Sequence, residues 1–298
     1  MTRFSPFPSK LLVVALSIYG LTGVASAIEA EIQPANHTLR SEHGWVSAGL
    51  FFADFSTSAR LDGTGGLIGT SVDLEDDLGM DSKSELWTVS AGLNFSQRWR
   101  FEAEYLDHKR ASLTELSSDI DWGNQVLGAG INAIARFEVA ITRLALGYDF
   151  VQKDDRLLGA SIGLHWVKSL AAIQGEVALA GTVPSDDPGF SLYRFDFDSE
   201  AISDEKLPLP NVGLYGVYAL GKNWRLNGRI DVFMLDLGEW GGQFLSAYAD
   251  LSYFAENGFY CGAGLQYLVI NVDYTSNQLE GRIHYRHFGP RIDVGFRF

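Results

Sequence analysis

Leu86-Trp87-Thr88-Val89-Ser90-Ala91-Gly92-Leu93-Asn94-Phe95-Ser96-Gln97, followed at once by Arg98-Trp99-Arg100-Phe101-Glu102-Ala103-Glu104-Tyr105, carries the reading of the whole chain. Trp87, Val89, Ala91, Leu93 and Phe95 share one face, and Thr88, Ser90, Gly92, Asn94 and Ser96 share the other. After a tight turn near Gln97-Arg98 the alternation resumes. Trp99, Phe101, Ala103 and Tyr105 are apolar, while Arg100, Glu102, Glu104 and His108 lie opposite. Period two belongs to a strand, because successive side chains of an extended backbone point to opposite sides. Two such strands around a short turn make an antiparallel hairpin with one greasy face and one charged face.

The same grammar recurs downstream. Leu158, Ala160, Ile162, Leu164 and Trp166 alternate with Gly159, Ser161, Gly163 and His165. Trp224, Leu226, Ile230 and Val232 alternate with Arg225, Asn227, Arg229 and Asp231. Phe259, Cys261, Ala263, Leu265, Tyr267 and Val269 form a further apolar row. The pattern predicts ten strands, within a range of 8–12, at roughly 44–55, 86–97, 98–111, 129–151, 156–170, 210–221, 223–237, 243–255, 259–272 and 287–298. One stretch breaks phase: Phe137, Val139 and Ile141 run in one register, and Leu144, Leu146, Tyr148 and Phe150 in the other. A β-bulge near Thr142 is the expected reconciliation.

The connections alternate in length. Gln97-Arg98, Lys153-Asp154-Asp155, Gly221-Lys222-Asn223 and Glu256-Asn257-Gly258 are short, whereas 56–85, 112–128, 171–209 and 273–286 are long. Short turns at one end and long loops at the other describe a transmembrane antiparallel β-barrel, with the short side periplasmic. The chain is all-β on this reading, and 44–298 forms the barrel. Hydrophobic content of 46% and a mean hydropathy of +0.01 fit it, since lipid-facing and lumen-facing residues average out.

Residues 1–27 read as an export signal. Arg3 and Lys10 precede the apolar run from Leu11 to Val24, and Ala25-Ser26-Ala27 supplies a small-x-small cleavage site, with Ala25 and Ala27 as its determinants. Residues 28–43 are then a periplasmic lead-in. Without residues 1–27 the charge moves from −14 to −16, because two basic and no acidic residues leave. That acidity excludes nucleic acid as a partner, since phosphate binding needs a basic face. The single Cys261 falls on an apolar row and has no partner for an internal disulfide.

Phe288, Pro290, Ile292, Val294, Phe296 and Phe298 share one face of the last strand. This strand resembles the C-terminal strand of bacterial outer-membrane β-barrel proteins. The resemblance implies that Phe296 and Phe298 act as an insertion signal read by the barrel-insertion machinery. It also implies an outer-membrane location, with lipid and lipopolysaccharide as surroundings. Ser71-Val72-Asp73-Leu74-Glu75-Asp76-Asp77-Leu78-Gly79 and Leu207-Pro208-Leu209-Pro210 are similar to stretches of uncharacterised proteobacterial barrels of porin-like character and this size.

The expected lumen face is heavily charged: Arg100, Glu102, Glu104, His108, Arg136, Glu138, Arg225, Arg229, Asp231, Arg291, Asp293 and Arg297. Eight strands leave an interior that side chains just fill, so ten strands predict paired charges rather than a wide pore. The loops concentrate acid, with a net −5 over 56–85 and a net −6 over 171–209. Carboxylates suit hard cations, but Asp73-Leu74-Glu75-Asp76-Asp77 misses the EF-hand register, so a solvated loop is expected and no metal or cofactor. Trp45, Trp87, Trp99, Trp166 and Trp224 fall near strand ends, where indoles anchor at membrane interfaces, and Trp122 and Trp240 lie in loops.

Catalysis finds little purchase. Omptin proteases, also ten-stranded, use paired aspartates and Asp-x-His; here Asp107-His108 lacks the spacer, and its side chains would face opposite ways. Lipid-modifying barrels pair His with Ser on one strand face. His165 shares its face with Ser161 without a His-x-Ser motif, and His284 and His287 have no evident nucleophile. No catalytic residue is assigned. The expected function is a non-enzymatic structural or surface barrel, or a narrow channel with an occupied lumen; the alternative is an outer-membrane hydrolase, acyltransferase or protease.

Overall fold

The computed structural model describes residues 39, 43–63, 67–122, 125–176, 194–195, 205–236, 240–275 and 280–298. The expected export signal, most of the lead-in and the middle of the 171–209 segment lie outside these residues. Ten long strands make up the barrel: β1 Gly44–Asp62, β2 Lys83–Asn94, β3 Trp99–Glu115, β4 Asn132–Gln152, β5 Arg156–Glu176, β6 Glu205–Ala219, β7 Trp224–Asp236, β8 Trp240–Phe254, β9 Phe259–Thr275 and β10 Glu280–Arg297. Each pairs antiparallel with its neighbours in chain order. The sheet closes where β10 meets β1, from Trp45↔Arg297 to Asp62↔Glu280. Closure leaves no open edge, as a sheet in hydrocarbon requires.

The strands reach four to seven residues farther toward the loop end than the alternation predicted at several places, notably in β1, β5, β6 and β10. β4 and β5 each run 21 residues. At about 3.3 Å per residue and a tilt near 40° such strands stand roughly 50 Å tall, about twice an apolar band of about 25 Å. The barrel therefore has two storeys, and the polarity of its wall inverts between them.

In the storey next to the turns the outside is apolar. On β1 the outward row is Val46, Ala48, Leu50 and Phe52; on β4 it is Leu144, Leu146, Tyr148 and Phe150; on β10 it is Phe288, Pro290, Ile292, Val294 and Phe296. Aromatic pairs ring its lower margin, with Trp99 against Tyr148 at 5.0 Å and Trp224 against Tyr253 at 5.2 Å between ring centroids. Trp87, Tyr105, Trp166 and Tyr267 mark the upper margin. This is the architecture of an outer-membrane barrel, with aromatic girdles at both interfaces.

Above that margin the outward row turns polar: Asp54, Ser56 and Arg60 on β1, Arg136 and Glu138 on β4, Arg282 and Arg286 on β10. The apolar residues move inside instead. Phe51, Phe55, Phe137, Val139, Ile141, Phe244, Leu268, Ile270 and Tyr285 form one buried cluster. The loop-end storey is thus built like a water-soluble barrel, apolar within and polar without. The bulge expected near Thr142 is absent, because β4 pairs continuously with β3 and β5 through that residue. Phe137, Val139 and Ile141 face the inner core while Leu144 onward faces lipid, so an unbroken strand shows both phases. The register of β4 shifts instead between Asp149 and Val151.

Candidate functional site

Where the two storeys meet, inward side chains from β3, β4, β7 and β10 converge on a run of alternating charges. Arg100 Nη2 lies 3.2 Å from Asp149 Oδ2, and its Nη1 lies 3.8 Å from Glu102 Oε1. Glu102 accepts from Arg143 Nη1 at 3.0 Å, and Arg143 Nε donates to Asp231 Oδ2 at 2.9 Å. Asp231 Oδ2 lies 3.3 Å from Arg229 Nε, and Glu104 Oε2 lies 3.4 Å from Arg229 and 3.5 Å from Arg291. Arg291 ends the run on Asp293 Oδ1 at 2.8 Å. Tyr215 donates to Asp149 at 2.6 Å and Tyr248 donates to Asp293 at 3.0 Å. The chain of charges spans the lumen from β4 to β10. Guanidinium forks suit such bridging, because one plane can serve two carboxylates at fixed geometry.

Glycines make room for these side chains. The missing side chain of Gly213 leaves space for Asp231 and Ser161, and those of Gly147 and Gly159 leave space for the Tyr215 ring. Toward the turns, with Arg100, Glu102, Glu104, Arg229, Arg291 and Asp293 of the run on its wall, lies a cavity of roughly 170 Å³. Trp45, Asp250, Ser252, Phe254, Tyr260 and Arg225 are among its walls. Arg225 and Arg297 both stack on Phe254, at 4.3 Å and 4.8 Å from the ring centre. Leu39, just before β1, packs into the same end against Leu157 and Tyr215.

Above the charges the lumen is filled. Val72–Asp73 adds to β1 through Ser58↔Asp73 and Ala59↔Val72, which folds the following turn into the mouth. Leu74, Leu78 and Met80 join the buried cluster of Phe51, Phe55 and Phe137. The side chain of Glu75 enters with them. It pairs with Arg110 and accepts the Thr57 backbone N–H at 2.7 Å, while Arg110 Nη2 donates to Thr57 Oγ1 at 2.6 Å. Arg110 also lies over Phe55, 4.7 Å from its centre. The stretch expected to be a solvated acidic loop is instead a plug, with only part of its acid at the surface. Asp73 Oδ1 accepts the backbone N–H groups of Glu75 and Asp76 at 3.0 and 2.9 Å and so shapes the turn. Among the described residues no cluster of His, Cys, Asp and Glu is arranged to hold a metal ion.

Of the charges expected in the lumen, Arg100, Glu102, Glu104, Arg225, Arg229, Asp231, Arg291, Asp293 and Arg297 point inward. Arg136 and Glu138 do not. They lie on the outer wall of the loop-end storey, where Glu138 takes Lys109 Nζ at 2.9 Å, because the inward places on β4 belong to Phe137 and Val139. Arg143 and Asp149 are the network members that the alternation did not single out. Both continue the inward row of Phe137 and Ile141, opposite the lipid-facing Leu144, Leu146, Tyr148 and Phe150. Trp45 turns into the lumen beside Gly92 rather than outward, and Trp122 is buried in the plug core. The side chain of Trp240 and the residues Ala25 and Ala27 lie outside what is described.

Three of the described histidines are packing groups. His108 stacks on Phe55 at 4.6 Å, His165 meets Phe244 at 4.3 Å and Asn211 Oδ1 at 3.0 Å, and His287 lies edge-on to Phe51 at 4.9 Å. Asp107 faces outward, away from His108. Cys261 is exposed on the apolar outer row.

No family model and no curated protein matches the chain. Among solved structures it is similar to the outer membrane protease OmpT from Escherichia coli, at 12% identity and TM-score 0.49, covering 91% of this chain and 100% of that one. It is also similar to the translocator domain of the autotransporter NalP from Neisseria meningitidis, at 14% identity and TM-score 0.43, covering 97% of each chain. The Pseudomonas putida toluene transporter TodX matches at 10% identity and TM-score 0.31, over 91% of this chain and 93% of that one. At such identities and scores the barrel stands on its own strand pairing.

Proposed function

We propose that this chain is a non-enzymatic bacterial outer-membrane barrel, a structural or surface protein whose lumen is closed to bulk solute flow. The observation that carries the reading is the double obstruction of the lumen. A charge network crosses it at mid-height, and the Leu74–Met80 plug fills it above. A solute passing from end to end would have to break Arg143 from Glu102 and Asp231 and also displace an apolar core. Burial of His108, His165 and His287 against aromatic rings supports a packing role for them over acid–base chemistry at an open rim. The narrow-channel version of this reading differs only in whether the plug opens.

Conductance in planar bilayers tests it. Wild-type barrel is expected to show no steady porin-sized steps, and a variant lacking residues 72–80 should conduct more than wild type. Porin-sized steps from the intact chain would overturn the closed reading.

A further inference from the structure

Two histidines lie buried beneath the plug, each with a ring nitrogen that is unpartnered. His108, on β3, stacks on Phe55, and His287, on β10, stands edge-on to Phe51 and Phe55, at 4.9 and 6.1 Å between ring centroids. Phe51 and Phe55 belong to the buried cluster that Leu74, Leu78 and Met80 complete from above. His108 is 6% exposed and His287 is fully buried. Nδ1 of His287 meets the Tyr285 hydroxyl at 3.2 Å, but Nε2 of neither ring has a hydrogen-bond partner among the described residues. Such places suit a neutral imidazole, because an unpaired charge in an apolar core costs far more than an unpaired dipole.

The neighbours sharpen that penalty. Arg110 already sets a fixed positive charge over Phe55, and its acidic partner, Glu75, belongs to the plug itself. The other titratable groups around the pair are Tyr285 on β10 and Glu104 on β3, and Glu104 is shared between Arg229 and Arg291. From β1, β4 and β9 come Phe51, Phe55, Phe137 and Leu268. Protonating both histidines would thus set three positive charges, with Arg110, against the Glu75 carboxylate. The ties of the plug are local: its two-residue pairing with β1, the Leu74 N–H donated to Thr57 O at 2.9 Å, and the Glu75–Arg110 pair. None of them belongs to the pairing of the ten strands, so the plug can leave while the barrel stays closed on itself.

An imidazole in an open, wet mouth titrates near about 6.5. His108 lies above the apolar belt, past Tyr105, and there burial, followed by Arg110, holds its imidazole down to about 4. Closure is therefore fully favoured above the open-mouth value and loses ground as pH falls from there toward about 4.

We infer that His108 and His287 form an acid-release switch, in which protonation of both rings drives the Leu74–Met80 plug out of the loop-end mouth. The switch goes beyond the closed-barrel reading and is separable from it, since conductance at neutral pH tests that reading and says nothing of the histidines. Hydrogen exchange of the refolded barrel in detergent micelles tests the switch. The reporter is the Leu74 amide, with exchange corrected for its intrinsic rate at each pH between 7.5 and 5. The opening constant should rise by up to about tenfold per pH unit for each histidine that charges on release. Wild type is therefore expected to lose protection more steeply than tenfold per unit below about 6.5, approaching a hundredfold. His108→Phe and His287→Phe should each flatten that slope, and the double variant should show none. Where either phenylalanine impairs folding, read from heat-modifiable migration, His108→Gln and His287→Gln remove the same charge. Protection that does not fall with pH in wild type, or an equally steep fall in the double variant, would overturn the switch.

Discussion

Arg143 sits between Ile141 and Leu144, at the height where apolar residues on β4 change from the inner to the outer face. It is 2% exposed and holds Glu102 and Asp231 together across the lumen. Removing one partner of a buried ion pair leaves the other charge stranded, which costs about 3–5 kcal/mol. Arg143→Ala is therefore expected to lose that much stability in a denaturant titration of the liposome-folded barrel. Arg136→Ala, seven residues away on the outer wall, should change stability by no more than about 0.5 kcal/mol, as exposed substitutions do. Equal losses would return Arg136 to the lumen. Phe55 shows the same logic from the apolar side: its ring is covered by His108 on stacking geometry and by Arg110, so two polar groups are buried through their flat faces.

Each strand carries its own membrane boundary, written as the point where its apolar row changes sides. On β3 the outward row runs Trp99, Phe101, Ala103, Tyr105 and then Asp107, while Leu106 turns inward. On β5 it runs Leu158 to Trp166 and then Lys168, while Val167 turns inward. β4 allows a direct comparison. Leu146→Arg places a charge on the lipid face and should cost about 2–4 kcal/mol near the midplane, whereas Ala140→Arg lies above the belt and should cost about 0–1 kcal/mol. Folding into liposomes followed by urea titration measures both. The reverse ranking would put the bilayer around the loop-end storey.

At the scale of the molecule, closure depends on the last residue as well as the last strand. Phe298 accepts the backbone N–H of Gly44 at 3.0 Å and donates its own to Gly44 O at 2.9 Å, fastening the seam between β10 and β1. Deleting Phe298 is expected to lower the amount of heat-modifiable, membrane-assembled barrel well below that of a deletion at Ser82, which lies in a loop connection. Matching yields for the two deletions would remove any special role for the terminal aromatic. The Leu74–Met80 plug and the charge network act at this scale too, since each draws on elements far apart in sequence, such as Glu75 with Arg110 and Arg143 with Asp231.

The alternation of Leu86 to Tyr105 and its repeats determined the strands, their antiparallel order and the apolar belt, because period two is a local property of extended backbone. It also determined that Arg100, Glu102, Glu104, Arg225, Arg229 and Asp231 share the face opposite the belt. Only the tertiary structure decided which apolar row meets lipid and which meets a core. Phe137 and Leu146 are equally greasy, and nothing within β4 says that a folded-back turn bearing Leu74 and Leu78 awaits one of them. For the same reason Arg136 read as lumen. The pairings of Glu75 with Arg110 and of Arg143 with Asp231 depend on which strands face each other across the lumen. Shear and tilt set that arrangement when the sheet closes, and no single strand contains it.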